Sequence, residues 1–371
     1  MADTLLGALG ELMRLQRWNA MPRVEVWNES ENIAYTTHIV YAIGKLKGMS
    51  NEDLLHGIQR ALLKSLNKHL LSDILIGTRD VIRDINKEAW KELIDVAAKE
   101  TAKLFPRRLL NYAHSYMTYD GDYVINNDNV NKKKGEIENL IKYVQFKVAA
   151  NECDINSKVY DQSYAKIRKT LSDKLAGLPN LAELDRHYME LGEHPLKIEN
   201  LKNLRRWNRV NRSVETTVLG HTFIVALLTF VIAHLCNDEI QDKDFSHAEY
   251  IYAAIVRALF HDVPETFTGD IISPVKAIIN KHDSGLLQQV EEKMLSNFKN
   301  DMPTQIHKDI EHYHLLDELS DSQPYTISSL VKACDSTAIV LECLFERETG
   351  SVGAEMTSAY INYVSRLQNS K

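Results

Sequence analysis

The chain has few of the residues that staple or punctuate a fold. Its four cysteines, Cys153, Cys236, Cys334 and Cys343, show neither CxxC spacing nor a dense framework. That excludes a disulfide scaffold and a cysteine-built zinc module, and points to a reducing compartment. Eight prolines and 15 glycines in 371 residues are too few for a turn-rich sheet protein, and alternating strand patterns are scarce. The N-terminus reads Met1-Ala2-Asp3, with an acid where a secretory leader carries basic residues, so a cytoplasmic chain is expected. Positive charge is not in excess: 44 Lys and Arg stand against 51 Asp and Glu, a net charge of −7 that argues against a nucleic-acid polymer as partner. No apolar run reaches the length of about 20 residues that a bilayer span needs. The nearest, Thr222 to Leu235, is apolar all round and fits the centre of a helical core, so no membrane partner is expected.

What is abundant is helical periodicity. Asp53 to Asn67, Lys87 to Leu104, Glu136 to Ala150, Tyr164 to Leu175, Ala248 to His261, Gly285 to Phe298 and Ser328 to Phe345 all place apolar residues three or four apart, which predicts an all-α fold. Tyr119 to Lys134, rich in Asn, Asp and Lys, reads as an exposed loop. The prolines and the Gly192-Glu193-His194-Pro195 turn between Leu178 and Leu196 suggest a junction between domains spanning 1–190 and 191–371.

The two halves share an ordered self-similarity. Arg17-Trp18-Asn19 recurs as Arg206-Trp207-Asn208, His38 parallels His221, and Leu140-Ile141-Lys142 parallels Leu330-Val331-Lys332, at separations of 183 to 197 residues. Aligning Ala61–Asp73 with Ala258–Asp270 sets Lys64 and Ser65 opposite His261 and Asp262, and Lys68 opposite Glu265; Gln145 falls opposite Asp335. Lysine and glutamine cannot replace anionic metal ligands, so the first half reads as a degenerate copy without a metal.

In the second half, His261 and Asp262 end an apolar helix, Glu265 follows four residues after His261, and Asp270 closes a Thr268-Gly269-Asp270 turn. Asp335 sits against a strongly apolar helix, and His221 opens another. Charges crowded among apolar segments are costly to bury unless a cation compensates them. Two histidines and two carboxylates, His221, His261, Asp262 and Asp335, form a mixed N/O set suited to a divalent transition metal: Mn, Co, Fe or Zn. Glu265, not needed as a ligand, is the candidate for proton transfer. Arg206 is the candidate grip on phosphate and Trp207 the candidate stacking face for a base or sugar.

These residues resemble the HD-domain superfamily, and within it the YfbR-like 5'-deoxynucleotidases. The pattern is Arg206-Trp207, His221 fourteen residues after the Trp, His261-Asp262-Val263-Pro264-Glu265, Thr268-Gly269-Asp270, Pro274-Val275-Lys276 and Lys332-Ala333-Cys334-Asp335. The resemblance covers roughly residues 196 to 348, with a degenerate echo from about 10 to 150. It implies an all-α HD-domain helical bundle, here two tandem HD-like domains related by duplication, with His221, His261, Asp262 and Asp335 as metal ligands. It further implies Asp262 and Glu265 in catalysis, and Arg206, Trp207 and Asp270 at the substrate. The implied reaction is release of phosphate from (deoxy)nucleoside 5'-monophosphates. The family's Glu-Asn-x-x-Glu-His lead-in is replaced here by Glu215-Thr216-Thr217-Val218-Leu219-Gly220-His221, which bears on substrate choice. Because the family's chains are usually single domains that pair, the first half is expected to take the place of a dimer partner, with a homo-oligomer as the other arrangement. Alternatives on residues alone are another HD-type phosphodiesterase or hydrolase, or a nucleotide-binding regulatory protein without turnover.

Overall fold

The computed structural model describes residues 4–118, 128–236, 247–269, 271, 273–297, 299–315, 327–350 and 353–369. Among them the protein is all-α, and its only β pairing is two isolated antiparallel bridges, Gln16 with Asn28 and Arg205 with Thr217. The chain divides into two compact units, one of Met1–Gly44 with Met49–His187, the other of Tyr188–Lys371 with Lys45–Gly48.

The first unit contains α1 (Leu5–Arg14), α2 (Glu29–Leu46), α3 (Asn51–Lys64), α4 (Lys68–Leu71), α5 (Ile76–Ile85), α6 (Lys87–Ala102), α7 (Leu110–Thr118) and α8 (Asp128–Ala176), which kinks at Tyr160. After α9 (Leu181–Glu190), the second unit runs α10 (His194–Asn200), α11 (Val218–Leu235), α12 (His247–Phe260), α13 (Glu265–Thr268), α14 (Ser273–His282), α15 (Leu286–Asn297), α16 (Thr304–Leu315), α17 (Ile327–Glu348) and α18 (Ala354–Asn369). Residues 128–134, read from composition as loop, belong to α8. Asn and Lys are weak helix formers or neutral, and no proline interrupts the segment, so a long helix propagates through it.

The second unit is organised around α11. Thr217 caps this helix, its Oγ1 accepting the Gly220 N–H at 3.1 Å, a bond worth about 1 kcal/mol. By length and composition α11 is apolar enough to cross a membrane, yet 83% of it is buried inside the protein, where it packs against α12 and α17. A helix without a polar face serves as such a core because it has no side to leave in water.

The same succession of elements occurs in both units. The four-residue α4 and α13 both end on a residue of positive φ, Ser72 at 60° and Gly269 at 74°. Helices α5 and α14 begin five residues after α4 and α13 end, and each runs for ten residues. The Arg-Trp corner is matched bond for bond. Arg17 N–H donates to Trp27 O and Glu29 N–H to Leu15 O; Arg206 N–H donates to Thr216 O and Val218 N–H to Leu204 O. Trp18 and Trp207 share a rare positive φ of 55° and 59°. This register corrects one pairing. The backbone bonds set Asn32, not His38, at the position of His221, because the first unit carries six more residues between corner and histidine.

Candidate metal centre

Three elements of the second unit bring the site together. His221 lies in the first turn of α11, which the Thr217 cap anchors. His261 and Asp262 leave the end of α12, where Pro264 prevents helix continuation and a turn, Val263 N–H to Phe260 O at 3.1 Å, redirects the chain into α13. Asp335 lies on α17.

One ligand atom each from His221, His261 and Asp335 falls within 4.8 Å of the others, as a shared ion requires. Asp262 lies outside that triple but beside it: its Oδ2 is 3.2 Å from His261 Nε2 and 3.9 Å from His221 Nε2. Both imidazoles are oriented through Nδ1. His221 Nδ1–H donates to Glu342 Oε1 at 2.9 Å, and His261 Nδ1–H donates to Ala258 O at 2.6 Å. Acceptors on Nδ1 leave Nε2 of each ring for the common centre, the arrangement by which metal-ligating histidines are fixed in one tautomer. His261 Nε2 and Asp262 Oδ2 are buried without a hydrogen bond among the described residues, so the donor set fits a divalent cation.

The electrostatics demand positive charge at this point. Burial and Arg206 oppose a proton on His221, yet Asp335 and Glu342 push its pKa up to about 9. Burial likewise opposes protonation of His261, and Asp262 outweighs it. Burial raises the carboxyl pKa of Asp262, but His261, His221 and Arg206 hold it far below the usual range. A cation between the rings would satisfy the same carboxylates without protons.

Around the ligands, Arg206 bridges two acids, Glu342 at 3.3 Å and Asp262 at 3.8 Å, so its guanidinium borders the centre. Trp207 has its indole N–H committed to Glu342 Oε2 at 2.6 Å, leaving the ring face for any stacking. Glu265 is buried at the start of α13 and accepts from Lys276 Nζ at 3.3 Å, which explains the Pro274-Val275-Lys276 element of the motif. Asp270 lies outside the described residues.

Sequence reasoning missed Glu342. It is fully buried and receives His221, Trp207 and Arg206 together. The available signal was its spacing: seven residues after Asp335 is two helical turns, on the same face. The first unit keeps the corresponding acid, Glu152, which binds Arg17 at 2.9 Å and the Trp18 indole N–H.

Residues 195–371 match the family model described as 5'-deoxynucleotidase YfbR-like. A 5'-deoxynucleotidase of Vibrio vulnificus is 26% identical over 157 residues, 42% of this chain and 74% of that protein. One from Photorhabdus laumondii is 27% identical over 155 residues, 42% and 73% of the two chains. One from Yersinia pseudotuberculosis is 25% identical over 179 residues, 46% and 79%. Residues 195–371, the span that carries the two histidines, the paired acids and the Arg-Trp corner, are similar to the YfbR-like 5'-deoxynucleotidase family.

Proposed function

We propose that the second unit is a metal-dependent phosphohydrolase that releases phosphate from nucleoside 5'-monophosphates, deoxynucleotides foremost. The observation that carries this reading is the approach of His221, His261 and Asp335 ligand atoms to within 4.8 Å, with Asp262 beside them, in a span of YfbR-like sequence. His221, His261, Asp262 and Asp335 are assigned as ligands of Mn, Co, Fe or Zn. When bound, such a metal supplies Lewis-acid charge to a phosphoryl oxygen and an acidified water as nucleophile.

The remaining steps belong to side chains. Arg206, charged and bordering Asp262, is assigned to the substrate phosphate, where a guanidinium can grip two oxygens at once. The Trp207 ring face and Asp270 are assigned to base and sugar. Glu265, held by Lys276, is assigned to move the proton between water and the leaving oxygen.

The two units are proposed to descend from one by tandem duplication, with domains 1–190 and 191–371 in a cytoplasmic chain. The first domain is proposed to substitute for a dimer partner, for which a monomer in solution is the expected state.

Phosphate release from a panel of nucleoside mono-, di- and triphosphates tests the activity. Expected are turnover of monophosphates, its loss on chelation, and a fall of about 10²–10⁴-fold in Glu265→Gln with metal content unchanged. Preference for diphosphates or triphosphates, or full turnover by Glu265→Gln, contradicts the assignment concerned.

A further inference from the structure

We infer that the first unit retains its cavity as a binding site for a phosphate monoester anion, held by lysine and arginine side chains where the second unit assembles metal ligands, and not hydrolysed.

A cavity of about 300 Å³ lies wholly within the first unit, and its lining includes Arg17, Asn32, Lys64, Lys68, Arg79 and Trp90. Its polar wall stands at the positions of the second unit's centre. Asn32 corresponds to His221 by the backbone register of the Arg-Trp corner, and Lys64, Ser65, Lys68 and Arg79 correspond to His261, Asp262, Glu265 and Lys276 by the matched short helices. Gln145, also in the wall, stands for Asp335.

The substitutions reverse the charge. The second unit sets Asp262, Glu265 and Asp335 against Arg206 and Lys276; the first sets Arg17, Lys64, Lys68 and Arg79 at matching positions, with Asp73 as the one carboxylate in the cavity lining and its Oδ2 taken by the Trp18 N–H. Neutralisation is partial. Lys68 Nζ reaches Glu29 at 2.7 Å and Lys64 Nζ reaches Glu138 at 2.6 Å, each spending one of three N–H donors. Arg17 shares Glu29 and Glu152. Arg79 Nε is buried without a hydrogen-bond partner among the described residues. Burial first, and then Arg17 and Arg79, depress the Lys68 ammonium, so these cations stand close enough to repel one another.

A cavity that gathers cations against their repulsion is matched to an anion. A phosphate monoester brings between one and two negative charges and at least three acceptor oxygens for the lysine and guanidinium donors. Trp90 and Ile94 supply an apolar side for whatever the phosphate is esterified to. With amide and ammonium groups in place of imidazole and carboxylate, nothing here recruits a metal or activates water, so the anion is bound intact.

The test is calorimetric titration of the full chain, in the His261→Ala background after chelation, with inorganic phosphate, deoxyadenosine 5'-monophosphate and deoxyadenosine as probes. Expected is one saturable site for the two phosphate-bearing probes, none for deoxyadenosine, and binding weakened about tenfold or more by Lys64→Gln and by Arg79→Gln. Tighter binding of the nucleotide than of phosphate identifies a nucleotide site, and equal binding a simple phosphate site. Arg79→Gln keeps the test decisive if Lys64→Gln unfolds, because Asp73 and Asp80 retain Trp18 N–H and Lys174 as partners. Absence of saturable binding, or binding indifferent to Arg79→Gln, overturns the inference. Phosphate release by the wild-type chain, measured in parallel, separates the two proposals: turnover without this site removes only the inference, and the site without turnover removes only the proposed activity.

Discussion

Glu342 shows how a single buried acid organises the site. It takes His221 Nδ1–H on one oxygen and the Trp207 indole N–H on the other, with Arg206 alongside. Glu342→Gln keeps the shape but removes the charge that fixes the imidazole, and outer partners of this kind are worth about 10–100-fold in metal affinity. The expected outcome, read by competition with a metal-binding dye, is that loss with the helical content retained; unchanged affinity would show that Glu342 only anchors the corner. The approach of His221, His261 and Asp335 was legible in sequence because the motif places acids and histidines beside apolar helices, where burial demands compensation. Glu342 was not, since a lone acid within Leu341-Glu342-Cys343-Leu344 resembles one that faces water until the helix is docked. His38 misled for a related reason. It opens an apolar run as His221 does, but register in the first unit is set by the Trp18 corner, and that selects Asn32.

Among the elements, α10 supports α13. Thr266 of α13 donates through Oγ1 to Lys197 O of α10 at 2.8 Å, and α13 carries Glu265. His194, first residue of α10, is fully buried with neither ring nitrogen hydrogen-bonded among the described residues, and burial lowers its pKa to about 4. The unfolded chain therefore takes up this proton near pH 6.5, which the folded chain refuses until about pH 4. Stability from this group is complete above roughly pH 6.5 and falls as pH drops toward 4, by about 3 kcal/mol in all. Urea unfolding across that window should show a shallower pH dependence in His194→Leu than in the wild-type chain, and equal slopes would contradict the burial account. Most helices were legible from spacing of apolar residues, since amphipathic periodicity survives any tertiary arrangement. The start of α8 was not, because its polar composition carries no such period and its order comes from continuity with the apolar helix that follows.

For the whole molecule, the same succession of elements carries two different donor sets among the described residues. Both units keep the strained Arg-Trp corner and its buried glutamate, Glu152 or Glu342, which hold a helix start in place whatever the neighbouring chemistry. At the positions of His221, His261, Asp262 and Asp335 the first unit has Asn32, Lys64, Ser65 and Gln145. The central claim is that four side chains of the second unit share a single cation. Elemental analysis of the purified full-length chain, beside His261→Ala, tests it most directly. The account predicts one equivalent of transition metal per wild-type chain and essentially none in His261→Ala with the fold intact. Two equivalents in the wild type, or undiminished metal in His261→Ala, would contradict it.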